Sequence, residues 1–231
     1  MRKILLVLFW LIIIIAIGFS AFLISQRSGA ITSSAYIEKQ NQLAQSNPRH
    51  YLKARMQWID YKDISPNLIL AAIASEDQSF LQHNGFDFVQ ILSAIRQKDK
   101  NLRGASTISQ QLVKNLFLWS RGAKVLRKTL EIMMVPFVEL WWSKQRILEV
   151  YLNVVQFDAI TYGVELASLK YFQKSAKHLN LQQAAWLIAV LPAPVKYSIK
   201  NPSTKLSARQ ARIVKQAYLI KQSGLLKPLI K

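Results

Sequence analysis

The sequence contains no cysteine and only seven glycines among its 231 residues. The lack of cysteine excludes disulfide bonds and thiolate metal sites, although it permits an oxidising compartment. The glycines form no Gly-rich phosphate loop, so a bound phosphate would be held mainly by side chains or helix N-termini. No histidine pair has the spacing of zinc ligands, because the three histidines lie far apart at His50, His83 and His178.

Acidic residues are also scarce. The chain has 12 Asp and Glu against 31 Lys and Arg, which gives a formal net charge of +19. This excess predicts an anionic partner, which could be nucleic acid, phospholipid head groups or a phosphorylated substrate. The length is sufficient for one domain of ordinary size and an appendage.

A long apolar run from Ile4 to Ile24 predicts a retained membrane anchor. About 20 apolar residues in a helix cross the hydrocarbon core of a bilayer. The apolar part of a secretory signal is usually about 7–15 residues long and precedes an Ala-x-Ala-like site, which is missing here. Arg2 and Lys3 precede the run and only Arg27 follows it closely, so the positive-inside rule places the N-terminus in the cytoplasm. We expect a single-pass protein of the cytoplasmic (inner) membrane with its large domain outside; a cleaved signal is the alternative.

The rest of the chain divides by composition into a polar segment and a globular domain. We assign residues 1–26 to the anchor, residues 27–49 to a partly helical tether and residues 50–231 to the domain. Helical periodicity dominates this domain, and alternating strand patterns are almost absent. The expected fold class is therefore mainly α, with one N-terminal transmembrane helix.

The most informative stretch begins where an apolar helix ends. Ser65 is a favourable N-cap and Pro66 a favourable first residue for a helix that reaches Glu76 and Asp77. A carboxylate at the C-terminal end of a buried helix faces the negative end of the helix dipole and a poorly solvated wall. Both effects disfavour the charged form, as suits a general acid or base at Glu76. The alternative is a pair of solvated acids that close the helix.

Two further segments combine hydroxyl, amide and cationic side chains. Ser106 and Thr107 are placed to cap a helix on which Gln110 and Lys114, four residues apart, share a face. Such a face either binds an anionic ligand or is an ordinary solvated helix start.

Arg127 and Glu131 are also four residues apart. They form either a surface ion pair or a phosphate-binding arginine beside an ionised carboxylate. Around them, apolar side chains alternate with Lys and Arg, a pattern that suits either a surface pressed into anionic head groups or ordinary packed helices. These apolar side chains are Phe117, Leu118, Trp119, Val125, Leu126 and the aromatic residues between positions 137 and 142.

Taken together, these segments resemble the peptidoglycan glycosyltransferases, in particular the monofunctional biosynthetic transglycosylases. Their first motif, Glu-Asp-x-x-Phe-x-x-His-x-Gly-x-Asp, is met at every specified position from Glu76 to Asp87. The second, roughly Gly-Gly-Ser-Thr-Ile-Thr-Gln-Gln-x-x-Lys-Asn, is met at residues 104–115 with Ala105 and Ser109 as replacements.

The remaining motifs follow in order. The third, Arg-Lys-x-x-Glu, lies at residues 127–131, and the Ile-Leu-Glu-x-Tyr-Leu-Asn core of the fourth lies at residues 147–153. The fifth covers residues 191–197 and 201–202. One loop departs from the pattern, because Asp158 or Ala159 stands where the resemblance predicts glycine.

The resemblance implies a lysozyme-like, mostly helical fold that polymerises lipid II into β-1,4-linked glycan strands of peptidoglycan and releases undecaprenyl diphosphate. It implies that Glu76 is the general base for the 4-hydroxyl of the acceptor sugar. It places Glu131 on the leaving-group side, acting directly or by binding a divalent cation such as Mg²⁺ or Mn²⁺. The matched positions that would bind the diphosphate and sugars are Ser106, Gln110, Lys114, Arg121, Arg127 and Asn201.

The expected partners are lipid II, the lipid-linked glycan chain, membrane phospholipids and other proteins of cell-wall synthesis. Nucleic acid is not expected, because the predicted topology places the basic domain outside the cell. A glycan-cleaving lytic transglycosylase and a non-catalytic membrane-anchored scaffold are the alternatives. A transpeptidase domain is not expected, because the sequence contains no Ser-x-x-Lys and few residues follow the fifth motif.

Overall fold

The structure is a computed structural model that describes residues 2–96, 106–118 and 123–230, with residues 94–96 described by their backbone alone. The described residues form ten α-helices, two short 3-10 helices and one two-stranded parallel sheet, so the predicted mainly α class is confirmed. In chain order the elements are α1 Arg2–Ser25, α2 Ala35–Ser46, β1 Arg55–Met56, a 3-10 helix Tyr61–Asp63, α3 Pro66–Glu76, α4 Phe88–Arg96, α5 Ile108–Phe117, α6 Lys124–Trp141, α7 Lys144–Val154, β2 Thr161–Tyr162, α8 Val164–Phe172, a 3-10 helix Ala176–His178, α9 Leu181–Ala189 and α10 Thr204–Ser223.

Helix α3 forms the centre of the first helical group, in which it packs against α9 and α10. It begins as predicted, with the Ser65 side chain accepting a hydrogen bond from the backbone N–H of Asn67 and with Pro66 in the first turn. Every residue from Leu68 to Ala74 is buried. A helix that is apolar on all sides must be covered on all sides, and this one therefore ends inside the domain at Glu76.

The second group consists of α5, which packs against α6 and α7. Thr107 caps α5 in a reciprocal capping box with Gln110, and Ser143 caps α7. Pro136 lies inside α6 without ending the helix. A hydrogen bond from Gln111 on α5 to Glu76, the last residue of α3, joins the two groups, and the candidate site lies at this junction.

The C-terminal end of α1 is fastened to the domain. Leu23 is buried, and its carbonyl accepts a hydrogen bond of 2.8 Å from Trp142 Nε1. The buried Arg146 side chain donates at 2.9 Å to the carbonyls of both Gln26 and Gly29. The first residues after the helix are therefore held by the same arginine.

Helix α1 also covers part of the surface that was predicted to face the membrane. The Phe19 ring meets the rings of Phe117 and Phe137 edge to face, with centroids 5.4 and 5.8 Å apart. Trp142 is buried. Val125 and Leu126 are exposed, as a surface that faces the membrane requires. Trp119 lies outside the described residues.

The segment that was predicted as a tether is folded onto the domain. Helix α2 packs against α5, and its Ile37 and Ala44 side chains are buried. Gln40 Nε2 donates a hydrogen bond of 2.7 Å to the carbonyl of Leu52. The sequence indicated the helix but not its packing, because its polar composition resembles that of a solvated segment.

Candidate active site

Both carboxylate oxygens of Glu76 accept hydrogen bonds from side chains of other residues. Oε1 accepts from Ser75 Oγ at 2.7 Å and from Arg209 Nη2 at 2.9 Å, and Oε2 accepts from Gln111 Nε2 at 3.0 Å. The donors come from α3, α5 and α10. The last residue of the central helix is therefore held from three directions.

This environment differs in one respect from the prediction. The Glu76 side chain is 11% exposed, so the wall around it is poorly solvated as expected. However, the wall is polar, and it includes the guanidinium of Arg209. Hydrogen bonds from Ser75, Gln111 and Arg209 satisfy the carboxylate within this wall.

Tyr151 on α7 extends this network by one further residue. Its side chain is fully buried, and its hydroxyl donates to Gln111 Oε1 at 3.2 Å. Burial, followed by the negative charge of Glu76, raises the pKa of Tyr151 well above its usual value. The phenol therefore stays protonated and orients the Gln111 amide toward Glu76.

Asp77 joins three parts of the site. Its Oδ1 lies 2.8 Å from His83 Nε2, and its Oδ2 accepts a hydrogen bond of 2.9 Å from the backbone N–H of Ile108 at the start of α5. His83 Nδ1 accepts from the backbone N–H of Gly85, so the proton shared with Asp77 belongs to Nε2. These bonds position the loop after Glu76; they do not place Asp77 or His83 beside a reacting group.

Gly85 allows α6 to pack directly on this loop. Its φ is +93°, and an added Cβ would lie 2.3 Å from Val135 Cγ1 and 3.1 Å from Glu139 Cγ. The position therefore requires glycine for both its backbone conformation and its space. The carbonyl of Gly85 accepts a hydrogen bond of 2.7 Å from Thr107 Oγ1.

The second carboxylate, Glu131, lies buried on α6 among cations. It forms an ion pair with Lys128, which is three residues earlier on the same helix. Burial lowers the pKa of Lys114, and the positive charges of Arg127 and Lys128 act in the same direction, whereas Glu131 and Glu76 oppose the shift. Lys114 therefore lies in the electric field of both carboxylates.

Ser106 and Gln110 lie on a groove of about 380 Å³, together with Lys128 and apolar residues that include Phe88 and Ile132. The side-chain oxygen of Gln110 accepts a hydrogen bond from the backbone N–H of its own helix cap at 2.9 Å. The groove thus contains the predicted polar positions, but the Gln110 oxygen also has a structural role.

The other two predicted binding residues are not brought to the carboxylates by the described contacts. Asn201 lies exposed in the loop before α10, where its backbone N–H donates to Ser198 Oγ at 3.2 Å. Arg121 lies outside the described residues.

The sequence analysis did not identify Gln111, Arg209 or Tyr36 as site residues. Gln111 could have been predicted from the second motif, because it directly follows Gln110. Arg209 is one of many cations, and no local pattern distinguishes it. Tyr36 belongs to the segment predicted as a tether; burial raises its pKa, and the charges of Arg127 and Glu131 act on it.

The residues around Glu131 do not fit a resident metal site. The described part of the chain contains no cluster of three or more His, Cys, Asp or Glu side chains that could hold an ion. A cation at Glu131 would have to displace Lys128 from its ion pair and take its other ligands from a bound diphosphate.

The loop that departs from the family pattern is closed by the carboxylate of Asp158. Its Oδ1 accepts hydrogen bonds from the backbone N–H groups of Ile160 and Thr161 at 3.1 and 3.0 Å, and Oδ2 accepts from Lys170 and Tyr171 at 2.8 Å. Burial raises the pKa of Asp158, but these hydrogen bonds outweigh it and lower the value to about 2. The side chain supplies the turn that glycine would otherwise supply.

The described residues bring together the partly buried carboxylate of Glu76, the buried carboxylate of Glu131 and a group of cations that act on Lys114. A family model described as Transglycosylase matches residues 41–218. The chain is 47% identical over 201 residues to the biosynthetic peptidoglycan transglycosylase of Haemophilus influenzae, which covers 85% of this chain and 80% of that protein. Identity is 42% over 213 residues to the protein of the same name from Pasteurella multocida (91% and 80% covered) and 41% over 217 residues to that from Klebsiella oxytoca (93% and 84% covered). The chain belongs to the transglycosylase family.

Proposed function

We propose that this chain polymerises lipid II into β-1,4-linked glycan strands of peptidoglycan and releases undecaprenyl diphosphate. The observation that carries the proposal is the Glu76 carboxylate at the end of α3, which accepts hydrogen bonds from Ser75, Gln111 and Arg209. Lys114 lies near enough to Glu76 and Glu131 for both of their charges to act on it. A sugar diphosphate bound at Lys114 would present its anomeric carbon between a proton acceptor and a cationic cluster. The names of the relatives, biosynthetic peptidoglycan transglycosylases, support the same substrate class.

In this mechanism Glu76 is the general base. It takes the proton from the 4-hydroxyl of the acceptor sugar while the hydroxyl oxygen attacks the anomeric carbon of the lipid-linked donor. Attack from the side opposite the diphosphate inverts that carbon. The ion pair with Arg209 holds the carboxylate in place for this proton transfer.

The cationic cluster serves the leaving group. Negative charge grows on the diphosphate as the bond to the anomeric carbon breaks, and Lys114, Arg127 and Lys128 would stabilise it. Glu131 holds Lys128 in an ion pair, and its charge acts on Lys114. A divalent cation stays a prediction; if one binds, Glu131 and the diphosphate of the substrate would hold it.

The apolar surface beside the groove is the proposed site for the lipid part of the substrate and for the membrane. Groups of large apolar side chains on α4 and α6 are exposed, as suits an interfacial surface: Phe88, Val89, Leu92, Val125, Leu126, Ile132, Met133 and Leu140. The groove that contains Ser106 and Gln110 opens between these two helices. An undecaprenyl chain could therefore stay in lipid while its diphosphate reaches Lys114.

Among the described helices, α1 is the one that is long and apolar enough to cross a membrane. We propose that it is a single-pass anchor with its N-terminus in the cytoplasm and the domain on the periplasmic side. Because the chain has no cysteine, single cysteines can test this orientation. Gln222→Cys should react with a membrane-impermeant maleimide from the periplasmic side, whereas Lys3→Cys should react only after the inner membrane is opened; the reverse pattern would contradict the orientation.

The activity is tested with the purified full-length chain in detergent or liposomes and labelled lipid II. A polymerase produces a ladder of lengthening glycan strands. A glycan-cleaving enzyme would instead shorten preformed strands, and a scaffold would leave both substrates unchanged.

A further inference from the structure

The acceptor positions of the Glu76 carboxylate are almost fully used. Each carboxylate oxygen accepts about two hydrogen bonds. Oε1 receives two, from Ser75 and Arg209, and Oε2 receives one, from Gln111. Among the described residues, a single acceptor position is therefore left, and it belongs to Oε2.

Arg209 determines this asymmetry. It lies on α10, 133 residues from Glu76, and one of its nitrogens, Nη2, reaches both Glu76 Oε1 at 2.9 Å and Ser75 Oγ at 2.8 Å. The Ser75 hydroxyl therefore accepts from Arg209 and donates its own proton to Oε1. The three groups form a closed triangle that fixes the rotation of the carboxylate.

The guanidinium takes this position although another of its donors stays unused. Arg209 Nε is buried and has no hydrogen-bond partner among the described residues. Buried donors are normally paired, and an exception calls for an explanation. The orientation that binds Glu76 and Ser75 provides one, because it directs Nη2 to the carboxylate at the expense of Nε.

We propose that Arg209 is a positioning residue which, together with Ser75, saturates Oε1 of Glu76 and leaves Oε2 as the atom that accepts the proton. This inference rests on the proposed function. In the step, the proton of the acceptor hydroxyl moves to Oε2 and the hydroxyl oxygen forms the bond to the anomeric carbon. The bond from that carbon to the diphosphate oxygen breaks, and its electron pair leaves with the diphosphate.

The test compares Arg209→Gln and Arg209→Lys in the full-length chain by steady-state synthesis of strands from labelled lipid II. Arg212→Gln is the matched control, because Arg212 is an exposed cation on the same helix. We expect Arg209→Gln to lower kcat by about 10- to 100-fold, since a misplaced reacting group costs about this much. KM should change by less than about twofold, because the cluster around Lys114 is untouched. Arg209→Lys should recover part of kcat, and the control should behave like the parent chain.

An Arg209→Gln chain with kcat within about twofold of the parent would overturn the inference, and so would a raised KM at constant kcat. Thermal unfolding identifies a variant that fails to fold. If Arg209→Gln does not fold, Arg209→Lys tests the inference instead, and this variant must lower kcat at constant KM. A parent chain that makes no strands contradicts the proposed function itself, whereas an active parent with unaffected Arg209 variants contradicts only this inference.

Discussion

The two carboxylates of the site are held in different ways. Glu76 is fixed by directional hydrogen bonds from Ser75, Gln111 and Arg209, which lie on three helices. Glu131 pairs with Lys128 on its own helix, and cations from α5 and α6 surround it. Directional bonds hold an atom in one place, whereas a group of charges tolerates movement. The comparison suggests that position matters most at Glu76 and net charge matters most at Glu131.

The largest effect is expected from Glu76→Gln. The amide keeps the size of the side chain but cannot accept a proton, so strand synthesis should fall by about 10²–10⁴-fold, the usual contribution of a general base. Thermal unfolding should change little, because most contacts of the site remain. Glu38→Gln on the exposed surface of α2 is the control. Continued synthesis by the Glu76 variant would remove this residue from the role of base.

Glu131→Gln should have a smaller effect of about 10- to 100-fold, because it changes the charge balance without removing a proton acceptor from the reacting hydroxyl. The rate of strand synthesis, measured over a range of Mg²⁺ and Mn²⁺ concentrations, checks this. Any dependence on the cation should become weaker in the variant. An unchanged metal response would count against the assignment of Glu131 to the leaving-group side.

Gly85→Ala tests the contact between the loop after Glu76 and helix α6, which carries Glu131. At this glycine α6 packs directly on the loop. Adding a Cβ at a φ of +93° and 2.3 Å from Val135 Cγ1 should destabilise the fold by about 3 kcal/mol through backbone strain and overpacking. Gly224→Ala is the control, since its φ is +69° but the nearest atom is 3.4 Å away in a flexible lysine. It should cost about 1 kcal/mol. Equal losses in denaturant unfolding would contradict the packing argument.

The smallest effect is expected from Asp158→Asn, which lies away from both carboxylates. The pKa of Asp158 is lowered from 3.8 to about 2, so its contribution to stability is present above about pH 4 and is lost as the pH falls toward 2. That contribution is about 2 kcal/mol at most. Unfolding measured against pH should show a weaker acid dependence in the variant, while the rate of strand synthesis at neutral pH stays the same. A large loss of rate would instead connect this loop to the site.

Much of the fold was predictable because its signals are local. Ser65 and Pro66 fix where α3 begins, and the structure has this helix from Pro66 to Glu76, as predicted. Glu76 and Lys114 were predictable from the motifs that contain them.

The contacts that complete the site were not predictable from local patterns. Arg209 reaches Glu76 across 133 residues, and nothing near Arg209 distinguishes it from the other cations of a basic chain. The covering of Phe117 by α1 depends on the docking of a helix that the sequence assigns to the membrane. The polar wall around Glu76 likewise reflects tertiary packing, which periodicity alone does not specify.

The fastening of α1 by Arg146 and Trp142 has a consequence for how a membrane-bound enzyme would work. Leu23, Gln26 and Gly29 are all hydrogen-bonded to the domain, so the domain cannot rotate freely relative to α1. If α1 anchors the chain in a bilayer, as proposed, these contacts set the height and the tilt of the domain relative to it. A glycan strand made in the proposed reaction would then move past a site whose position is fixed.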